Sequence, residues 1–371
     1  MRLTSLVGLL NSSSPARMPL IDALRALASQ LVLVHHLAFY GPLATALAVE
    51  FSDLSQWLID YARMAVQIFL VVGGFLAARS LAPQGVLLVR QPFALIGRRY
   101  LRLVLPFAVA ISLAVVASAV ADQWLDDPAI PAQAHLGQWL AHVTLVHGVL
   151  GVDSLSAGVW YVAIDFQLFA LFALLLWCGR GRPWLSVLLV LGLVLASLFY
   201  FNRYPTLDNW ALYFFGAYGL GAAAWWASAP GRLRLWLGLM LCTGCAALVE
   251  DFRLRVLLAV GVALLLAVGR RQEWLYRWPH SRVSAFLGRI SYSVFLVHFP
   301  VLLLMNALFA HNSDGDPAAI LWWLVVSWVV AIVAGMAFHR WVELPCAGWR
   351  LPSLHAYRLP GRWRLLRRRL F

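Results

Sequence analysis

The sequence contains no lysine, and it carries little charge of either sign. Only 12% of its 371 residues are charged, whereas 62% are hydrophobic and 18 are tryptophan. The mean hydropathy of +0.78 and the scarcity of charge exclude a soluble globular fold. They predict an all-α, polytopic integral membrane protein.

Cysteine is scarce too, and no secretory leader is predicted. The four cysteines lie in or beside apolar segments, at Cys178, Cys242, Cys245 and Cys346. The C-x-x-C spacing of Cys242 and Cys245 has no redox or zinc context, so we interpret both as small packing residues and predict no metal. Residues 1–20 hold only a short apolar run before a Ser/Pro break, too short for the core of a signal peptide, and are predicted to be a cytoplasmic lead.

Long apolar runs, separated by polar turns, fill the chain between residues 21 and 345, and we interpret this range as one membrane domain. The runs lie at 21–41, 57–81, 101–121, 158–178, 183–201, 209–227, 234–249, 254–269, 287–309 and 318–339. Runs of this length and composition predict about ten transmembrane helices, of which the seventh and eighth are short.

The distribution of arginine predicts the orientation of these helices. With the N-terminus inside, 25 of the 29 arginines fall in inner segments, and the exceptions are Arg63, Arg203, Arg253 and Arg255. Because cytoplasmic loops carry an excess of basic residues, both termini are predicted to be cytoplasmic. The net charge of +13 then reflects mostly topology, and we predict no nucleic-acid partner. The basic tail, residues 346–371, is expected to lie on anionic lipid headgroups.

The first apolar run carries ionisable residues that a lipid-facing helix would not tolerate. Arg25 and His36 are eleven residues apart, which on an ideal helix is three turns plus about 20° and a rise of roughly 16 Å. They share one stripe, whereas His35 is turned about 80° away from it. A guanidinium near the inner surface and an imidazole deeper in suit an enzyme that binds an anion and moves a proton. The alternative is a packing histidine and an ordinary inner-surface anchor.

Two further stretches place cations or amides near apolar segments. Arg63 and Gln67 are spaced i, i+4 in the second run, where they are expected to share a helix face, and the following Gly73-Gly74 pair permits close helix approach. At the start of the third run lie Arg98, Arg99 and Arg102. Three guanidiniums there form either a phosphate clamp at the cytoplasmic mouth or a positive-inside anchor.

Polar groups also interrupt the fourth and ninth runs. Asp165, in the fourth, is expected about 10 Å below the outer surface, and His36 at about 8 Å, so His36 is one candidate partner for this carboxylate and Arg63 is another. The ninth run carries polar side chains at Ser291, Tyr292, Ser293 and His298. The long outer loop at about 122–157 holds His135, His142 and His147, whose irregular spacing is a weak metal signal.

Taken together, five stretches of the sequence resemble the membrane-bound acyltransferase-3 family. They are Arg25 followed by ten residues and His36, then VQIFLVVGGFL, RRYLR, VWYVAIDFQ and LGRISYSVFLVHFP. They occur in the order and spacing of that family, and the resemblance covers about residues 18–345. Two departures stand out. Gly73-Gly74-Phe75 replaces a frequent Ser-Gly-Phe, and Asp165 is followed by Phe166 where the family often has a second acidic residue.

The resemblance implies a ten-helix enzyme of the bacterial inner membrane. It would move an acyl group, commonly acetyl, from cytoplasmic acyl-CoA to a hydroxyl of an extracytoplasmic or lipid-linked glycan, such as a polysaccharide or lipopolysaccharide. It also implies that His36 is the essential histidine, that Arg25 is its motif partner, and that Arg98, Arg99 and Arg102 form the cytoplasmic arginine motif. Some family members add a soluble esterase-like domain, for which about 25 residues after the last helix leave no room.

These expectations define a set of candidate roles. We assign catalysis to His36, Asp165 and Tyr292, and donor binding to Arg25, Arg98, Arg99 and Arg102. We assign substrate binding to Arg63, Gln67, Trp160, Gln167 and His298. His36 would act either as a general base or through a transient acyl-imidazole. Asp165 would orient His36 or bind the acceptor, and Tyr292 would donate to the oxyanion. A glycan transporter or flippase, and a scaffold for glycan assembly, are the alternatives. The acceptor, the acyl chain and the oligomeric state stay open.

Overall fold

The computed structural model describes residues 17–88, 91–131, 134–229, 233–313 and 316–348. Most of the predicted cytoplasmic lead, the basic tail beyond residue 348, and Arg90 lie outside the described residues. Within the described ranges the chain forms helices and turns and no strand, which confirms the all-α class.

Helices follow one another along the whole described chain. The α-helices are α1 (Pro19–Leu37), α2 (Gly41–Glu50), α3 (Ser52–Asp60), α4 (Val66–Leu81), α5 (Pro92–Ala121), α6 (Leu136–Val143), α7 (Val159–Cys178), α8 (Pro183–Phe199), α9 (Ala211–Ala227), α10 (Leu233–Glu250), α11 (Leu254–Arg271), α12 (Trp274–Arg277), α13 (Arg282–Asn312), α14 (Pro317–Phe338) and α15 (Leu344–Gly348). Short 3₁₀ turns lie at Ala62–Ala65, Phe201–Arg203 and Pro205–Leu207, and a π-helical turn at His339–Glu343 joins α14 to α15.

Seven segments of the described chain are long and apolar enough to cross a membrane. They are Pro19–Leu37, Ser52–Leu81, Pro92–Ala121, Val159–Cys178, Pro183–Arg203, Arg282–Asn312 and Pro317–Gly348. The three remaining predicted runs also form helices, namely α9, α10 and α11. Every run is therefore helical, while the count of ten spans and the cytoplasmic termini stay predictions.

Local sequence explains where several of these helices begin. Proline occupies the first turn of α1, α5, α8 and α14, where its missing N–H costs no intrahelical hydrogen bond. The Ser281 hydroxyl accepts the N–H of Ser284 and caps α13. In the same way, the Asp316 carboxylate accepts two N–H groups at the start of α14.

Helix α9 forms the centre of the bundle. All of its residues except Leu212 are buried, and it packs closely against α4. A Cβ added at Gly74 would overlap the carbonyl of Tyr218, and one added at Gly221 would overlap that of Val71. The close approach predicted at Gly73-Gly74 is confirmed at Gly74, since only a residue without a side chain lets these two backbones touch.

The second predicted run is not one helix, which corrects one expectation. The 3₁₀ turn at Ala62–Ala65 separates α3 from α4, and Arg63 lies exposed in this turn while Gln67 is buried at the start of α4. A 3₁₀ turn advances by about a third of a circle per residue, so the i, i+4 spacing no longer aligns the two side chains. The shared helix face predicted for Arg63 and Gln67 is therefore wrong.

Candidate active site

His36 lies in the last turn of α1, because that helix ends at Leu37 rather than at residue 41. The side chain is buried at 8% exposure and faces α13. Its Nδ1 lies 2.7 Å from Nε2 of His298, and the two rings stack at 4.8 Å with an angle of 7° between their planes. The sequence placed the two histidines in the first and ninth apolar runs, and the structure brings them together.

The hydrogen bonds around this pair determine where the protons are. Nδ1 of His298 lies 2.7 Å from the carbonyl oxygen of Phe295, which can only accept, so this nitrogen carries a proton and donates it. In a neutral ring Nε2 of His298 is then an acceptor, and Nδ1 of His36 must donate to it. It follows that Nε2 of His36 keeps its lone pair. No described residue forms a hydrogen bond with that nitrogen.

The neighbouring histidine has a different role. Nδ1 of His35 donates to the carbonyl of Leu58 at 3.0 Å, at the end of α3. This agrees with the prediction that His35 faces another neighbour than His36 does. His35 thereby fastens α1 to the segment that follows α2.

Asp165 pairs with Arg99 and not with His36 or Arg63, so the pairing expected from helix depth is wrong. Nη2 of Arg99 donates to Oδ2 of Asp165 at 2.5 Å. The carboxylate side chain is 9% exposed and that of the arginine 30%. The arginine also lies over the ring of Phe169, at 5.4 Å. Arg99 is the eighth residue of the 30-residue α5, which lifts it about 10 Å from the start of that helix, into the bundle.

Two tyrosines and a glycine surround this ion pair. Tyr161 and Tyr218 both interact electrostatically with Asp165 and Arg99. A Cβ added at Gly73 would lie 3.3 Å from the Tyr218 ring and 3.7 Å from Oδ1 of Asp165. The position at which the family often has serine therefore faces the carboxylate here, and no hydroxyl is present on it.

Tyr161 links the charged groups to the histidine pair. It interacts electrostatically with Arg25 as well as with Asp165 and Arg99. Its ring packs edge-on against Phe295 at 5.5 Å, and Phe295 supplies the carbonyl that holds His298. The Tyr161 hydroxyl forms no hydrogen bond with any described residue, so its proton is available to a ligand. Tyr161 belongs to the motif VWYVAIDFQ, but no role was predicted for it from the sequence.

The remaining arginines of the predicted donor site are not ion-paired within the described chain. Arg98 and Arg102 are exposed, and Arg25 is partly exposed. Arg25 interacts electrostatically with Glu343 and Arg102, but none of the three forms a hydrogen bond or ion pair with a described residue. Among the four motif arginines, only Arg99 has a carboxylate partner.

Glu343 is a site residue that the sequence analysis missed. Its Oε2 accepts a hydrogen bond from Ser293 at 2.5 Å and one from Nδ1 of His339 at 2.9 Å. It lies in the π-helical turn after α14, and among the carboxylates it has the strongest electrostatic interaction with Arg25. One signal was available, because Glu343 is among only four acidic residues that the predicted topology does not place in outer segments.

The other predicted site residues have local partners. The Tyr292 hydroxyl donates to the carbonyl of Leu103 at 3.0 Å, so its proton already has an acceptor. Gln167 accepts the N–H of Ala211 at 3.0 Å and caps the start of α9. The Trp160 ring stacks on Phe214 at 5.5 Å. Their predicted roles in catalysis and substrate binding stay predictions.

Comparison with known proteins places this geometry in context. A family model described as an acyltransferase domain, that of the acyltransferase-3 family, matches residues 19–340. The protein named "Regulator of hypoxia-inducible factor 1" from Caenorhabditis elegans is 22% identical over 422 residues, which cover 93% of this chain and 82% of that protein. No solved structure matches.

Proposed function

The chain belongs to the acyltransferase-3 family, and from this premise we propose that it is a membrane O-acyltransferase. It takes an acyl group, acetyl in the simplest case, from cytoplasmic acyl-CoA and transfers it to a hydroxyl of an extracytoplasmic or lipid-linked glycan. We propose the bacterial inner membrane as its location. The single observation that carries the proposal is the open Nε2 of His36, held at the end of a hydrogen-bonded chain.

The proposed reaction begins with a proton transfer to that nitrogen. The acceptor hydroxyl donates its proton to Nε2 of His36, and its oxygen attacks the thioester carbonyl carbon. When the tetrahedral intermediate collapses, the carbon–sulfur bond breaks and the CoA sulfur takes the proton back from Nε2. The Nδ1 bond to His298 keeps the same donor and acceptor throughout, so the imidazole is oriented in both protonation states.

The same hydrogen bonds argue against an acyl-imidazole. Acylation of Nε2 with a proton still on Nδ1 would give a positively charged N-acylimidazolium. To neutralise it, His298 would have to accept the Nδ1 proton while its own Nδ1 proton stays bound to Phe295, which makes His298 an imidazolium in a buried site. We therefore propose that His36 is a general base and that the transfer is direct.

The donor phosphates are proposed to bind at the inner end of the bundle. Arg25, Arg98 and Arg102 have no carboxylate partner in the described part of the chain and remain available to phosphate oxygens, whereas Arg99 is neutralised by Asp165. The rise of roughly 16 Å from Arg25 to His36 along α1 is comparable with the reach of the pantetheine arm. The free hydroxyl of Tyr161 lies between the two ends and is the proposed donor to the oxyanion.

The test uses purified protein in lipid nanodiscs, radiolabelled acetyl-CoA, and the envelope glycan fraction of the producing cells. Label is expected in the glycan with wild-type protein and not with His36→Ala, while His35→Gln, altered at the adjacent histidine, retains transfer. A transporter would leave the acyl group on CoA and would overturn the proposal. Rapid quenching without acceptor should trap no labelled protein, and label lost in His36→Ala would instead establish an acyl-enzyme.

A further inference from the structure

A second buried histidine lies between α6 and α7, in the loop predicted to be outside, and neither of its ring nitrogens forms a hydrogen bond with a described residue. His147 is 1% exposed, and both Nδ1 and Nε2 are without a partner. Buried polar atoms are nearly always hydrogen-bonded, so two on one ring need an explanation. The backbone before it is strained as well, since Leu145 has a φ of 60°, which is unusual for a residue with a side chain.

The stacked neighbour of His147 does not supply the missing partner. The His142 ring lies parallel to it at 4.1 Å, with 7° between the planes. Nδ1 of His142 donates to the carbonyl of Gln138 at 2.8 Å, and its Nε2 accepts the N–H of Leu155 at 3.2 Å. His142 is therefore fully bonded and holds the loop together, while His147 is left with one donor and one acceptor unused.

His147 faces a small pocket with other polar and aromatic groups. Its lining includes Trp160, Gln167 and Asn209. The Asn209 side chain has no hydrogen bond with a described residue, and its Oδ1 lies so near Gly148 that a Cβ there would approach it to 2.9 Å. Asn209 and Val149 at the rim are exposed, and the enclosed space suits a group the size of a water molecule.

We propose that this pocket is an acceptor subsite, which binds a hydroxyl group on an uncharged sugar unit of the glycan. The inference rests on the proposed function and deepens it. A neutral imidazole offers one donor and one acceptor, and a hydroxyl likewise donates once and accepts, so the two match. The Asn209 amide adds both kinds of group, and the Trp160 ring provides an apolar face next to them.

The position of the pocket relative to His36 fits this role. Gly158, at the N-terminus of α7, lies against His36, where an added Cβ would be 3.6 Å from Cε1 of the imidazole. The same helix contributes Trp160, Ala163 and Gln167 to the pocket, whose lining includes neither His36 nor His298. The pocket would therefore hold a different hydroxyl from the one that is acylated. Burial and the neighbouring His142 lower the pKa of His147 to about 4, which keeps the ring neutral and disfavours an anionic ligand.

The test is the substitution His147→Phe, which keeps a planar ring on His142 and removes both unpartnered nitrogens. Its melting temperature should rise, because no buried polar atom is left unpaired. In the nanodisc assay with the envelope glycan fraction, KM for the glycan should increase about tenfold or more while KM for acetyl-CoA is unchanged. His147→Gln, which keeps a donor and an acceptor, should stay within about threefold of wild type.

The matched control is His311→Phe, the same change at an exposed histidine near the outer end of α13, which should alter neither parameter. Each outcome decides the matter. If His147→Phe remains folded and KM for the glycan is unchanged, the pocket is not an acceptor site although the proposed function stands. If the melting temperature falls, the ring is structural and the inference is overturned. If wild-type protein transfers no label to the glycan, the proposed function itself fails.

Discussion

The protein contains two stacked histidine pairs that look alike and differ in their hydrogen bonds. His36 with His298 and His142 with His147 both stack with 7° between ring planes, at 4.8 and 4.1 Å. In the first pair the rings are hydrogen-bonded to each other, and one nitrogen is left open at the end. In the second, one ring is fully bonded and the other has no bond at all. Ring geometry alone therefore does not distinguish the two pairs, whereas their hydrogen bonds do.

The largest difference between the pairs should appear when one histidine of each is removed. His36→Ala deletes the proposed base, and kcat for acyl transfer should fall by about 10²- to 10⁴-fold, with only a small decrease in melting temperature, because a single buried acceptor, Nε2 of His298, loses its partner. His142→Ala should do the reverse, because it leaves the Gln138 carbonyl and the Leu155 N–H unpaired. Single-turnover transfer rates and thermal unfolding of both variants check this. A His36→Ala protein with wild-type kcat would end the catalytic interpretation.

The next largest effect is expected at His298, a positioning residue for His36. In His298→Phe the acceptor for Nδ1 of His36 is lost, the imidazole tautomer is no longer fixed, and kcat should fall about 10- to 100-fold. KM for acetyl-CoA should not change, since His298 contacts no proposed donor group. His298→Asn, whose amide oxygen can accept, should recover part of kcat, and equal loss in both variants would point to a packing role instead.

A third effect concerns the ion pair of Asp165 and Arg99. Asp165→Asn leaves Arg99 without its carboxylate, and the free energy of unfolding should drop by about 2–3 kcal/mol, less than the 3–5 typical of fully buried pairs, because Arg99 is 30% exposed. Chemical denaturation in detergent measures this. The double variant Asp165→Asn/Arg99→Gln should recover stability, and a loss of kcat without any loss of stability would instead assign Asp165 to the chemistry.

A smaller effect separates Tyr161 from Tyr292, which both interact electrostatically with Asp165 and Arg99. The Tyr161 hydroxyl forms no hydrogen bond with a described residue. If its proton stabilises the oxyanion, Tyr161→Phe should lower kcat about tenfold. Tyr292 already donates to Leu103, and Tyr292→Phe should change kcat less than about threefold. The ratio of the two kcat values is the measurement. The opposite ranking would restore the oxyanion role that the sequence predicted for Tyr292.

The helical segments could be predicted from the sequence because length and apolar composition determine them. Each of the ten apolar runs is helical in the structure, although a 3₁₀ turn divides the second into two helices. The turn at Ala62–Ala65 could not be predicted, since no proline or glycine marks it. The early end of α1 at Leu37 was also missed, although Pro42 follows and begins α2.

The relative positions of site residues on one helix could be predicted from the sequence, whereas the contacts between helices could not. The stripe of Arg25 and His36 follows from helical geometry alone. The partners His298 and Glu343 come from α13 and from the turn after α14, hundreds of residues away, and their register against α1 depends on packing. Asp165 was paired wrongly because matched depth was inferred from helix ends. The extra length of α5 instead carries Arg99 to the same level.

The smallest effect is a pH dependence that the second pair should show. The pKa of His147 lies at about 4 in the folded protein, and that of His142 is lowered as well, through burial, against about 6.5 for an unfolded histidine. Between pH 4 and 6.5 the unfolded chain binds more protons than the folded protein does. The free energy of unfolding is therefore highest above pH 6.5 and decreases as pH falls toward 4. The melting temperature of wild type should therefore decline more steeply over this range than that of His147→Phe. Parallel curves would mean that His147 is protonated in the fold, and a charged ring would favour an anionic ligand over a sugar hydroxyl.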